Sequence, residues 1–316
     1  MRHTRMFVLT VTTAALVFAA GCGTQPEDGT ADAGSRKKPT VQGMPLPDAK
    51  VRATWPKQEV ASGLAKGMRL PLEGYMLGYP DIVDVENARD VVKSACMERL
   101  GFSFTPKPMG LDPAVSYNEM NMERRYGITD PVKAARLGFA VEQDVRSSEG
   151  EAAEEAELAR QDKESSVEGW DQAMNETCIP EANEQVGVLF LTDVAGDLAG
   201  ESLETTRDKP MVKDALTNWS SCMADHGHQA KSLDDAEAKF ATPRTPGLKP
   251  SADEVELATD TVDCKQTAGL VRTWHEAETA YQEEQIRGHG KELTAEKNRN
   301  TETVKKARAV LADADK

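Results

Sequence analysis

Four cysteines, Cys96, Cys178, Cys222 and Cys264, follow a fifth, Cys22, and they constrain this 316-residue chain more than any other feature. No two are spaced as Cys-x-x-Cys, so neither a zinc knuckle nor a thioredoxin-like pair is indicated. An even number in an oxidising compartment reads as two disulfides, for which three pairings exist. Local sequence favours one of them. Cys96-Met97-Glu98-Arg99-Leu100-Gly101 and Cys222-Met223-Ala224-Asp225-His226-Gly227 both read Cys-Met-x-x-x-Gly. Val85, Ala88 and Val92 precede the first string, and Met211, Ala215, Leu216 and Trp219 precede the second, at helical spacing. Glycine fits the left-handed position past a helix end, so each cysteine sits one turn before a helix stop. A duplicated helix end implies two related halves. Cys264 lies on the stripe Leu257, Thr261, Cys264, Ala268 and Val271, begun by the capping box Ser251 to Glu254. Trp170, Met174 and Cys178 form a shorter stripe that Pro180 ends or bends. One capped helix stapled to the following helix gives Cys96–Cys178 and Cys222–Cys264, each worth roughly 3–5 kcal/mol of stability.

The compartment follows from the first 21 residues. Arg2, His3 and Arg5 form a basic start, and Met6 to Ala20 is an unbroken apolar and threonine run. That run is shorter than the ~20 residues a spanning helix needs. Ala19-Ala20-Gly21-Cys22 resembles the bacterial lipobox, in which the cysteine takes a diacylglycerol and heads the mature chain. Cys22 is therefore the expected lipidation site, and its acyl chains the expected membrane anchor. No Arg-Arg pair marks twin-arginine export.

Residues 22–75 read as a disordered tether. Ser35-Arg36-Lys37-Lys38 within it matches an acylation motif on paper but has no packed surroundings to perturb its lysine. The first helical half is expected over 76–200, with an acidic insert at 142–168 that holds ten acids and three bases. Within this half, Pro80 to Gly101, Asn118 to Gly127, Pro131 to Leu137 and Trp170 to Asn183 read as helices. Val186 to Thr192 is the one β-like run, and 193–208 reads as a polar connector. The second half is expected over 201–290, with helices over Lys209 to Gly227 and Ser251 to Ile286, interrupted at Gly288 and Gly290. Residues 291–316 read as a charged tail, helical or disordered. The fold class is all-α: two related disulfide-stapled halves with a long C-terminal helix. The formal charge is −15, which argues against nucleic acid as a partner.

Candidate chemistry is thin. Asp225-His226-Gly227-His228 is the most metal-like string, with His275 or the acidic insert to complete it. On a helix end these ligands point in different directions, so the expectation is a polar terminus and no metal. Arg124-Arg125-Tyr126 could hold an anionic wall polymer, but the structural reading, in which it satisfies carboxylates, is favoured. Neither Gly-x-Ser-x-Gly nor His-Glu-x-x-His occurs, and no catalytic residue is assigned.

The chain resembles a group of uncharacterised actinobacterial lipoproteins. The likeness is carried by Arg124-Arg125-Tyr126-Gly127-Ile128-Thr129-Asp130 ahead of Gly138-Phe139, by Trp219-Ser220-Ser221-Cys222-Met223 with Gly227, and by Asp263-Cys264 with Leu270, Trp274, Glu278 and Gln282. The resemblance implies export, disulfides and a helical fold, and no activity. The sequence therefore reads as a lipid-anchored, non-catalytic protein on the extracellular face of the membrane. Its partner is an unidentified envelope protein or cell-wall ligand, and it needs no cofactor. The alternatives are a small-ligand or cation-binding lipoprotein and a cell-wall hydrolase or its regulator.

Overall fold

A computed structural model of the chain describes residue 44 and residues 46–141, 148–240 and 249–314. Cys22, the expected leader and the Ser35 to Lys38 string lie outside them. Among these residues every regular element is helical. The elements run α1 (Ala49–Ala53), a 3-10 turn (Pro71–Gly74), α2 (Tyr79–Arg99), α3 (Pro131–Leu137), α4 (Ser148–Ser165) and α5 (Trp170–Ala173). A π turn (Met174–Cys178) leads into α6 (Ile179–Gln185), followed by α7 (Val194–Arg207), α8 (Pro210–Asp225), α9 (Leu233–Ala238), α10 (Ala252–Thr267) and α11 (Leu270–Ala314). None of these helices is long and apolar enough to cross a membrane.

The repeated string forms the same cap twice. Gly101 and Gly227 have φ of +85° and +87°. The Phe102 N–H reaches Met97 O at 2.9 Å and Gly101 N–H reaches Glu98 O at 3.0 Å; His228 to Met223 and Gly227 to Ala224 repeat this at 2.8 and 2.9 Å. Both sets are the paired bonds of a Schellman cap. The bridges are Cys96–Cys178 and Cys222–Cys264, each with Cα atoms 5.5 Å apart. Pro180 neither ends nor breaks its helix. The backbone widens ahead of it, the Ile179 N–H reaching back five residues to Met174 O, so α5 and α6 continue through the turn that carries Cys178.

The two halves share one body. The expected boundary at 200/201 falls inside α7, and α3, from the first half, packs on α10, from the second. Residues 193–208, expected as a connector, form α7 instead. Asp193 caps it, and its inward face is built of Leu198 with Ala195, Ala199, Ser202 and Thr206, four residues too small or polar to make a stripe in the sequence. The helix expected from Ser251 to Ile286 is broken at Gly269, whose φ is +62°. Beyond that turn α11 runs for 45 residues, about 67 Å. It passes through Gly288 and Gly290 with only a kink at His289 (φ −110°, ψ 15°). Asn118 to Gly127 forms successive turns rather than a helix, with Asn121 at φ +47°. Val186 to Thr192 is irregular.

The described part of the expected tether is packed, and the 291–314 stretch takes the helical form expected of it but is part of the core. Residues 46–75 pack onto the body. Trp55 meets Tyr79 edge-on at 5.4 Å and donates to Gly110 O at 2.9 Å, and Val60, Ala65, Leu70 and Leu72 are buried. From 291 onward α11 buries Leu293, Val304, Ala307 and Leu311. The last three join Val85, Ala88 and Val92 of α2 and Ala182 of α6 in one cluster. Scattered apolar residues became a core face because α2 supplies the opposite one. Leu293→Ala, a fully buried site, is therefore expected to cost about 2–5 kcal/mol in urea unfolding. A loss below 1 kcal/mol would show that this stretch is an appendage.

Candidate functional site

The Arg124-Arg125-Tyr126 string is consumed internally. Arg125, at 6% side-chain exposure, pairs with the fully buried Glu278 of α11. Tyr126 Oη donates to Glu278 Oε2 at 2.9 Å and Ser202 Oγ to Oε1 at 2.6 Å. Gln282 Nε2 donates to Ser202 at 2.9 Å, while its Oε1 accepts the Leu72 N–H at 3.1 Å. Burial, and then the Glu278 charge, push the Tyr126 hydroxyl well above its usual range, so it serves as a permanent donor. Arg124 donates to Ala140 O at 2.7 Å. Glu278 and Gln282 continue the Leu270 and Trp274 face at intervals of four. A polar residue repeating on an apolar stripe was the signal that the periodicity reading passed over.

Lys265 is a second buried charge that the sequence did not flag. Its Nζ donates to Tyr126 O at 2.7 Å and Ile128 O at 2.9 Å. Desolvation lowers its pKa to about 7, against the opposing pull of Glu237. The unfolded chain then holds more protons than the folded one between about pH 7 and 10.5, so this group adds stability as pH rises through that window.

Glu119 behaves in the opposite sense. It lines a small recess with Asp193, Glu296 and Asn300. Glu296 is held there because it accepts the Val194 and Ala195 N–H groups at 2.8 and 3.2 Å, at the start of α7. Partial burial, then the charges of Asp193, Glu296 and Asp197, raise Glu119 to about 7.

The acidic insert is partly visible as α4. Along it Arg160 pairs with Glu157 and Glu164 at 2.5 and 2.8 Å. Between α4 and the body lies an open cleft of about 1240 Å³, lined by Leu111, Val115, Lys133, Leu137, Glu154 and Glu157 among others. Its mixture of apolar and charged groups suits an extended ligand or peptide better than a small buried one.

The histidine string is the part of the site that the structure changes most. His226 and His228 do not diverge. The left-handed Gly227 between them turns the chain, and both rings meet Asp260 of α10. His228 Nε2 lies 2.7 Å from Asp260 Oδ2, and His226 Nδ1 lies 3.4 Å from Oδ1. Glu256, one turn earlier on α10, joins them: ligand atoms of His228, Glu256 and Asp260 all lie within 4.8 Å of one another. Asp225 is exposed, and His275 is engaged elsewhere, its Nε2 2.9 Å from Arg69 O. Sequence reasoning missed Glu256 and Asp260 because their helix face meets the end of α8 only in the tertiary fold, where α8 packs on α10 and the Cys222–Cys264 bridge ties them.

Compared with protein-family models, curated proteins and solved structures, the chain matches none of them.

The folded protein keeps a proton on Glu119 that the unfolded chain releases near its ordinary value of 4.5, so this group favours folding less as pH rises from 4.5 to about 7. Glu119→Gln is expected to raise the melting temperature at pH 8 and to leave it nearly unchanged at pH 4.5. Equal shifts at both pH values would show that the neighbouring carboxylates do not set its behaviour.

Proposed function

We propose that this is an exported lipoprotein, anchored through Cys22, whose disulfide-braced helical body is a non-catalytic interaction module facing the cell envelope. One observation carries the reading. All four cysteines beyond Cys22 are consumed in two bridges inside the body, which suits a chain that folds in an oxidising compartment. The resemblance of the Cys22 region to a lipobox supplies the anchor, and the likeness to actinobacterial lipoproteins points the same way. The engagement of Arg125 and Tyr126 with Glu278 favours a structural role for the most basic string over ligand capture. An envelope protein or cell-wall ligand would meet the cleft beside α4.

A cation-binding role is the second reading, favoured by the convergence of two imidazoles and two carboxylates at the end of α8. For the anchor, Cys22→Ala is expected to move the protein from the membrane fraction into the soluble extracytoplasmic or culture fraction. Retention in washed membranes would contradict attachment through that residue.

A further inference from the structure

We propose that His226, His228, Glu256 and Asp260 form a zinc-class divalent transition-metal site, held open by the Cys222–Cys264 disulfide. It deepens the cation-binding reading. From the exported-protein reading it takes only the closed bridge, which is assayed separately from membrane attachment.

The ligand chemistry is that of zinc. Imidazole nitrogen and carboxylate oxygen bind it at about 2.0–2.2 Å, and imidazole favours zinc, copper and nickel over calcium and magnesium. Two ligands of one ion at such bond lengths lie no more than about 4.4 Å apart. Tetrahedral geometry brings them to about 3.4 Å, and since His228, Glu256 and Asp260 lie within 4.8 Å of one another, side-chain rotations that move the ligand atoms by about 1 Å close the set. His226 is a reachable fourth ligand, since its Nδ1 is 3.4 Å from Asp260 Oδ1 and its half-exposed ring is free to turn.

The supporting frame is rigid. Glu256, Asp260 and Cys264 recur at intervals of four along α10, on one face. Cys222 and His226 are likewise one turn apart along α8. The bridge between the two cysteines therefore fixes the spacing of the two ligand pairs one turn away. The Schellman turn supplies the other constraint, since it delivers both histidines to the same carboxylate. At 18% and 17% side-chain exposure, His228 and Asp260 stand at the rim of the core with an open side toward solvent. That leaves a coordination position for water or for a group on a partner.

The same neighbourhood offers a competing donor set. The sulfurs of Cys222 and Cys264 and a ring nitrogen of His226 also lie within 4.8 Å of one another. While the bridge is closed these sulfurs are not thiolates and cannot compete. The oxidised protein should therefore present nitrogen and oxygen ligands alone.

The test uses the full chain, purified without reductant and stripped with chelator. Titration with Zn²⁺ by calorimetry should show one saturable site per chain, not displaced by a hundredfold excess of Ca²⁺. His228→Gln and Glu256→Gln should each weaken Zn²⁺ binding at least tenfold, and Glu256→Gln should leave the metal-free melting temperature unchanged. Glu256 is exposed, so its substitution tests the site without disturbing packing. Co²⁺ in place of zinc should give a visible spectrum without a sulfur-to-cobalt charge-transfer band. Weak binding to many sites, equal competition by Ca²⁺, or unchanged affinity in both variants would overturn the proposal and leave a His–Asp ion pair only. A sulfur-to-cobalt band in the oxidised protein would also overturn it.

Discussion

A covalent tie between the end of one helix and the face of a later one is the constraint on which the rest of this fold depends. The chain has few aromatic residues, 5% of the total, and so few large side chains with which to fix helix against helix. Each bridge closes a long loop, with separations of 82 and 42 residues. In a chain-entropy treatment such loops contribute about 4–5 kcal/mol apiece. The bridges act where a helix stops, at a Schellman cap, so they fix both the position of the helix and the direction of the chain leaving it. At the second cap that direction is what turns His226 and His228 toward α10.

What joins the two stapled units is α11. Its first part lies against α7 and α8 and its last part against α2. One helix thus carries apolar residues for two clusters and, within the stretch that serves the first, the buried Glu278 and Gln282. Removing one partner of such a buried pair costs about 3–5 kcal/mol, because the other charge is left unpaired in a dry interior. The pair also dictates position: Arg125, Tyr126 and Ser202 reach Glu278 only when the 118–127 turns, α7 and α11 all stand in register. Specificity of this kind offsets a core poor in ring-to-ring contacts.

Much of the fold was legible because its signals are local. Asp130-Pro131 capped α3 and Gly138 ended it, and the Cys-Met-x-x-x-Gly repeat announced both its caps and its pairings. What was not legible depends on distant partners. α7 hid behind alanine, serine and threonine, which bury well against a large helix but show no hydrophobic stripe alone. The 291–314 segment looked like a tail because Val304, Ala307 and Leu311 are sparse among charges; only the complementary face of α2 makes them a core. Tyr126 and its neighbours read as helix, yet the need to bring Arg125 to Glu278 and Tyr126 O to Lys265 is met by a chain of turns. The His226 and His228 pair was visible as metal-like residues. Its carboxylates were not, since they lie some 30 residues away and meet it only once α10 has packed on α8 beside the second bridge.

Non-reducing peptide mapping of the full chain tests the central claim most directly. The account predicts that the peptide holding Cys96 is joined to that of Cys178, and the peptide holding Cys222 to that of Cys264. A Cys96–Cys222 link, or four free thiols in protein purified without reductant, would contradict it.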